Sequence, residues 1–416
     1  MSTDTPNSNL LENSNGAAQY ASNGRTAYEG DHPGDKYLVD EDSAQPPELT
    51  IVMPTLNEEQ GIAECIRRIK NALVEMEMTG EIVVSDSSTD RTPEIAESLG
   101  ARVVVPDKPG YGYAYMYAFE RARGDYIAIG DADCTYDFEE LPKLYELVAN
   151  GDADMAMGSR LEGEILPGSM PKLHQHIGNP LLTKFLNVFY RAGVSDAHSG
   201  MRVFSREALE TMDLKSTGME FASEMIMEAG AKDLTIEEIP ITYHPREGEA
   251  TLESFSDGWR HVKFMLVNAP GHLFSIPGMV LGVVGMLVMG LAYTSVPVGP
   301  FSLGLNSMIA GSLLTLVGYQ VASLGAFATV ASDPIQKAND PFTTWLTQRV
   351  SLERGATIGL GVFGVGAAYA ALVIGRWFGS GFATVPVAEA NIVAFTAIIL
   401  GIQVIFGSFF LSSVAE

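Results

Sequence analysis

The chain has 416 residues, with 51 Asp and Glu against 26 Lys and Arg, a formal net charge of −25, 46% hydrophobic residues and two cysteines. That length and apolar content support two or three domains with a sizeable core. So acidic a balance excludes a nucleic-acid partner, because neutralising phosphates needs clustered Lys and Arg, and Cys65 and Cys134, far apart and outside any C-x-x-C spacing, indicate neither a disulfide framework nor a zinc site.

Residues 1–47 are rich in Ser, Asn, Gly, Asp and Pro and hold 8 acidic against 2 basic side chains. They cannot bury enough surface to offset their ordering entropy, and a disordered acidic tail is expected. The first residues carry no apolar stretch of the kind a cleavable signal peptide needs. The acidity continues over 48–272, with 38 acids against 20 bases, and ends at 273–416, with 5 against 4. A soluble surface this negative suits concentrated salt, where repulsion between carboxylates is screened, so a halophilic source is expected.

From residue 48 the texture changes to short apolar runs at 49–54, 81–86, 102–106, 126–131 and 154–159, separated by helical patterns such as 59–77 and 93–99. Strands alternating with helices predict parallel βαβ units covered on both faces, in a domain spanning 48–257. In such sheets ligands collect at the carboxyl ends of the strands. Pro54, Thr55, Asn57 and Glu58 follow the first run, Asp86 and Asp90 the second, and Asp131 and Asp133 the fourth. Three acidic turns therefore converge on one crevice, with Asp90 also suited to cap the helix that follows it.

Carboxylates at i and i+2 on a turn can share one hard cation, Mg²⁺ or Mn²⁺, whose shell is completed by water and substrate phosphates, or one can bind it while the other holds a neighbouring sugar hydroxyl. A lone D-x-D in so acidic a chain reads as a solvated turn. The strand before it and Asp86 at a neighbouring strand end reverse that reading. His174 and His176 form an H-x-H without an evident third ligand and are read as loop residues.

Residues 177–192 and 258–272 are amphipathic with basic polar positions. The headgroup plane of a membrane is the expected place for 258–272, while 177–192 fits that plane and an ordinary surface helix equally. Four uncharged apolar segments follow at about 273–294, 303–330, 355–375 and 391–414, each long enough to cross a hydrocarbon core. The third includes Gly359, Gly361 and Gly364 in a G-x-G-x-x-G spacing, but no strand precedes it, so these glycines are expected to pack helices rather than cradle phosphate. Lys337, Arg349 and Arg354 between the second and third segments place that loop, and with it the domain at 48–257, in the cytoplasm.

The stretches "VMPTLNEEQGI" (52–62), "IVVSDSSTDRTPEIA" (82–96), "KPGYGYAYMYAFERARGDYIAIGDAD" (108–133), "MGSR" (157–160), "DAHSGMRVFSREAL" (196–209) and "EEIPITYHPREGEA" (237–250) resemble, in order, the family 2 glycosyltransferases of GT-A fold. Within that family the similarity is to the polyprenyl-phosphate (dolichol-phosphate) mannosyl- and glucosyltransferases that carry a C-terminal membrane domain.

The resemblance implies an α/β, Rossmann-like nucleotide-diphospho-sugar transferase domain followed by a four-helix transmembrane domain. Its catalytic residues would be Asp131, Asp133, Arg160, Arg202 and Arg246. Pro54, Leu56 and Glu58 would border the base and ribose, Val84 and Asp86 would hold the base, and Asp131 and Asp133 would bind metal and diphosphate. Lys108, Gly130 and Ala132 lie in the same blocks and join the donor side, while Ser199 and Arg202 belong to a loop beside the acceptor. Arg160 and Arg246 would contact donor or acceptor phosphate. Thr135 departs from a Gln that many members use at the metal, and Ala250-Thr251 replaces a family Lys.

The implied reaction transfers one glucose- or mannose-class sugar from a UDP- or GDP-hexose to polyprenyl or dolichyl phosphate, with Mg²⁺ or Mn²⁺. It would invert the anomeric centre and feed protein glycosylation or cell-surface glycan assembly. Membrane lipid is a partner, and homo-oligomer formation stays open. A processive polysaccharide synthase is a rival, although no Q-x-x-R-W is present; a non-catalytic scaffold or lipid-linked-sugar translocator is another.

Overall fold

The computed structural model describes residues 32–248, 254–294, 303–331, 352–383 and 388–415. The first element arrives earlier than expected. Pro33–Tyr37 is a short 3₁₀ turn capped by His32, Lys70 is paired with Asp35, and Arg123 donates to the carbonyls of Val39, Asp40 and Glu41. Residues 32–41 are therefore tied to the domain, through the Asp35 side chain and the backbone of 39–41. Residues 1–31 of the expected tail lie outside the described residues.

Seven strands form one sheet: β1 Leu49–Thr55, β2 Gly80–Asp86, β3 Arg102–Val104, β4 Tyr126–Ile129, β5 Met155–Ile165, β6 Arg202–Ser205 and β7 Ile236–Tyr243. Their order is β3-β2-β1-β4-β6-β5-β7. The first four are parallel as expected, and the all-parallel reading fails beyond them, where β6 runs antiparallel to both β4 and β5. β6 is four residues long and opens on Arg202, and β7 contains Pro240, so neither reads as an apolar run. Proline is tolerated in β7 because that strand is an edge.

Side-chain alternation along the strands builds two cores. Ile51, Met53, Ile82, Val84, Ala128 and Val203 face α1 (Ile62–Met76), α2 (Thr92–Ser98) and α4 (Leu141–Ala149). Val52, Val83, Ile127, Ile129, Met155 and Phe204 face α3 (Tyr111–Phe119), α5 (Asn179–Tyr190), α6 (Arg206–Met212) and α7 (Phe221–Ala231). With both faces covered, only the sheet's ends are open to a ligand.

α8 (Ser254–Val267) packs beside α5 and leads into the first membrane-length helix. Among the described residues four helices are long and apolar enough to span a bilayer: Gly271–Thr294, Leu305–Val330, Leu352–Gly379 and Ala388–Ser413. They correspond to α9 (Ile276–Thr294), α10 (Leu305–Ala331), α11 (Leu352–Gly379) and α12 (Ala388–Ala415). The expected segments are recovered, with the third longer at both ends.

Glycines set the pairing of these helices. A Cβ on Gly278 or Gly285 would meet the α10 backbone at Ala322 or Thr315, and one on Gly359 would meet Ile405 and Gly401 of α12. Such close approach lets dispersion and weak polar contacts hold helices together without a hydrophobic drive. Ser312 and Thr396 hydroxyls, 2.6 Å apart, and the Tyr319 hydroxyl donating to the Gln403 carbonyl join α10 to α12. Of the G-x-G-x-x-G glycines only Gly359 packs closely against another helix; a Cβ on Gly361 or Gly364 would meet nothing within 4 Å among the described residues. Lys337 and Arg349 lie outside the described residues.

Candidate active site

The strand-end turns meet as the sequence predicts, and hydrogen bonds tie them to one another. Thr55 at the tip of β1 donates to Asp86 Oδ1 at the tip of β2 (2.7 Å), and Ser88 N donates to Asp86 Oδ2 (3.1 Å). Asn57, at φ 60°, donates through its backbone to Ser88 Oγ and accepts from Thr89 N. The Asp90 carboxylate accepts from Thr92 N and Oγ1 and from Glu59 N. Asp90 thus fastens the start of α2. Pro54 is half-buried and Leu56 is exposed in this turn. Val84 is fully buried in the core on the α1 side, two residues before the end of β2, and is paired with Met53 of β1 and Val103 of β3.

Beyond β4 the chain turns tightly through Gly130, where a Cβ would lie 2.6 Å from the Phe138 ring. Ala132 is buried, and its carbonyl sits against Gly61 at the start of α1. Asp133 Oδ1 accepts from Thr135 N (3.1 Å) and Thr135 Oγ1 (2.6 Å), while its Oδ2 pairs with Arg246 Nη1 (3.2 Å). Thr135, a departure from the family pattern, therefore orients one of the two aspartates. Asp131 Oδ1 accepts from the Tyr111 hydroxyl (3.0 Å).

Arg246 also binds Glu58 Oε1, and its loop is fastened by Glu247 N to Asp133 O (3.0 Å) and His244 N to Thr135 O (2.9 Å). Burial and the neighbouring Asp133 push Asp131 up to about 6; burial, opposed by Arg246 and reinforced by the aspartates, pushes Glu58 up to about 7. Glu58 Oε2, Arg246 Nε and Ser199 Oγ are buried without a hydrogen-bond partner among the described residues. Leaving a buried polar atom unpaired is costly.

Arg160 sits in the middle of β5 rather than at its end, just after Ser159, where the register with β7 shifts. Its Nε and Nη2 donate to Asp196 Oδ2 (2.8 Å) and Oδ1 (2.9 Å), and its guanidinium stands 5.2 Å from the centre of the Tyr243 ring. Burial opposes ionisation of Asp196, yet the Arg160 charge holds this carboxylate below its usual range. Glu238 accepts from Ser195 N and Asp196 N, and Tyr136 OH accepts from Gly200 N (2.7 Å), fixing the loop that holds Ser199.

Arg202 differs from its expected setting. It begins strand β6 rather than lying in a loop, is fully buried, and donates to the carbonyls of Ser199 (3.0 Å), Ala222 (3.1 Å) and Ala197 (3.0 Å). Its visible work is to shape the loop before it. Lys108 is exposed, 5.4 Å above the Tyr113 ring.

Other groupings were not legible in the chain. Cys65 and Cys134 are free, buried and 3.7 Å apart beneath the aspartate turn. Ser223 joins His198 Nε2 (3.3 Å) to His261 Nδ1 (2.8 Å), so the loop before β6 touches α8. The block "DAHSGMR" drew attention to the loop, but only tertiary contact supplies the partners of Asp196 and His198.

Residues 50–213 match the Glycosyl transferase family 2, and residues 326–415 match the Glycosyltransferase family 2 C-terminal transmembrane region. The chain is 66% identical over 398 residues to the low-salt glycan biosynthesis hexosyltransferase Agl6 of Haloferax volcanii, covering 96% of each chain. It is 34% identical over 212 residues to a dolichyl-phosphate hexose transferase of the same organism, covering 51% of this chain and 89% of that one. The dolichol-phosphate mannosyltransferase of Pyrococcus furiosus is 28% identical over 250 residues, covering 58% and 70%. Among solved structures, glucosyl-3-phosphoglycerate synthase from Mycobacterium tuberculosis, in complex with Mn²⁺, UDP and glucosyl-3-phosphoglycerate, overlaps with TM-score 0.44 at 22% identity, covering 54% and 80%. The two family matches, with a near full-length relative at this identity, place the chain in the family 2 glycosyltransferases as a membrane hexosyltransferase.

Proposed function

We propose that the protein transfers a single hexose from a nucleotide sugar to polyprenyl or dolichyl phosphate at the cytoplasmic face of the membrane, in assembly of a surface glycan of a halophile. The observation that carries this reading is the meeting of Asp131, Asp133 and Arg246 at the strand ends of a domain continuous with four membrane-length helices. The names of the Haloferax relatives, one acting in glycan biosynthesis and one on dolichyl phosphate, support it.

The donor set fits a hard divalent cation. Asp131 and Asp133 supply carboxylate oxygens, and Glu58 Oε2 is buried without a partner. Among the described residues no three His, Cys, Asp or Glu side chains form a metal cage of their own, so Asp131 and Asp133 would hold Mg²⁺ or Mn²⁺ together with the donor diphosphate and water. The bound ion supplies electrostatic stabilisation of the departing diphosphate.

The protein's own residues do the rest. Asp86, fixed by Thr55 and Ser88 at the tip of β2, holds the base beside Pro54, Leu56 and Glu58. Arg246 offers a cation to the charge that grows on the leaving group. Arg160, gripped through two nitrogens by Asp196, keeps Nη1 for a phosphate. A lipid phosphate oxygen attacks the anomeric carbon as the bond to the diphosphate breaks, inverting the centre. That phosphate is anionic at neutral pH, its second ionisation lying near pH 6, so a strong general base is unnecessary.

α5 and α8 support a lipid acceptor. Leu181 and Val188 are exposed on α5, as are Leu173 and Ile177 in the helical turn that leads into it, Trp259 and Val267 are exposed on α8, and the Phe189 ring lies 4.4 Å from that of His272 at the entrance to the first span. An apolar face at that level lies in the headgroup plane, with Trp259 suited to the interface.

The test is to incubate membranes holding the protein with labelled UDP- and GDP-hexoses, polyprenyl phosphate and Mg²⁺. Labelled single-sugar lipid should form and disappear with Asp133→Ala or chelator. A polymer product, or turnover unaffected by either change, would refute the reading.

A further inference from the structure

The two aspartates are held by different means. Asp133 is bonded by Thr135 and paired with Arg246, whereas among the described residues the Tyr111 hydroxyl is the one hydrogen-bond donor to the Asp131 carboxylate. Tyr111 is itself tightly placed. It opens α3 directly after Gly110, whose φ of 139° and approach to Thr217 O leave no room for a side chain. Its ring meets that of Tyr115 edge-on, with centroids 5.1 Å apart. Tyr115 is fully buried and stacks on Phe221 at 5.0 Å and 8°. The hydroxyl therefore has little freedom to leave Asp131.

On the opposite side, Asp131 Oδ2 lies beside Gly200, where a Cβ would come within 3.0 Å. Gly200 is held in turn through its N–H by Tyr136. A carboxylate gripped at Oδ1 and bordered by bare backbone at Oδ2 has its plane set, with one oxygen free of donors. Groups that hydrogen-bond a ligating carboxylate fix its orientation, and their loss typically costs about 10–100-fold in metal affinity or activity.

We propose that Tyr111 is a positioning residue: its hydroxyl holds Asp131 so that Oδ2 is presented to a divalent cation and the donor diphosphate. This rests on the reading of Asp131 and Asp133 as the cation site. Replacing Tyr111 with Phe keeps the aromatic stack and removes only the donor, so the folded domain should persist.

The experiment titrates Mn²⁺ into the full-length protein in detergent with UDP or GDP present, following the loss of the free-ion electron paramagnetic resonance signal. Unmodified protein, Tyr111→Phe, Asp131→Asn and the double variant are compared, and thermal unfolding of each metal-free sample reports folding. Tyr111→Phe should raise the Mn²⁺ dissociation constant about 10-fold or more, and should add little in the Asp131→Asn background, because the two changes remove one arrangement. Equal Mn²⁺ affinity in Tyr111→Phe and unmodified protein overturns the role of Tyr111 alone, as does an additive effect in the double variant. Failure of the unmodified protein to bind Mn²⁺ overturns the cation site itself, and the role of Tyr111 with it.

Discussion

Arg246 pairs with Asp133, Nη1 to Oδ2 at 3.2 Å, and its second amino group binds Glu58 Oε1. One guanidinium from the turn after β7 thus neutralises two carboxylates, one from the β1 turn and one from the β4 turn. If the same charge stabilises the leaving diphosphate, Arg246→Gln should lower kcat/KM by about 10²–10³-fold, the scale for losing one preorganised charge-stabilising donor. Steady-state kinetics with the nucleotide sugar would measure it, and near-normal kcat/KM would exclude Arg246 from the chemistry.

Protonation of the site should be visible in stability. Glu58, ordinarily near 4.5, is pushed up to about 7, and Asp131, ordinarily near 3.8, to about 6. Between the ordinary and raised values the folded state binds more protons than the unfolded state, so stability falls as pH rises through that window. Metal-free protein should therefore melt at a lower temperature at pH 7.5 than at pH 5, after allowance for the remaining carboxylates. Glu58→Gln should flatten this slope, as read from melting temperature against pH.

Arg202 presents a sharper stability case. Its burial pulls the guanidinium down to about 10, yet three carbonyls depend on its donors. Arg202→Met leaves those carbonyls unsatisfied and should cost about 3–5 kcal/mol. Denaturant unfolding would register this as loss of the folded domain.

Gly130 offers a steric test. Its absent side chain is required by the Phe138 ring 2.6 Å away from an added Cβ. Gly130→Ala should destabilise by about 1–3 kcal/mol through overpacking. Pairing it with Phe138→Leu should restore part of that loss, measured by the same unfolding curves.

The outward face of α5 should sit in lipid. Leu181→Trp in nanodiscs containing brominated lipid should show quenched emission relative to the same variant in unbrominated lipid, once the native tryptophans are subtracted. Equal emission in both lipids would place this face in water.

Much of this molecule was legible in the chain. β1, β2 and β4 are apolar runs ending in Thr55, Asp86 and the turn to Asp131, because strands buried on both faces tolerate little else. The four membrane helices follow from unbroken apolar length, which depends on composition alone. β6 escaped because four residues opening on a buried arginine carry no strand pattern, and β7 because Pro240 suits only an edge.

What composition and order determine by themselves is what lies locally along the chain: strand, turn, carboxylate pair and bilayer-length helix, each a matter of near-neighbour periodicity. Only the tertiary structure decided which side chains meet: Tyr111 with Asp131, Thr135 and Arg246 with Asp133, Asp196 with Arg160, and Cys65 with Cys134. Several of those contacts join elements far apart in the chain. Their distances follow from strand order and crossing geometry, which no local pattern encodes.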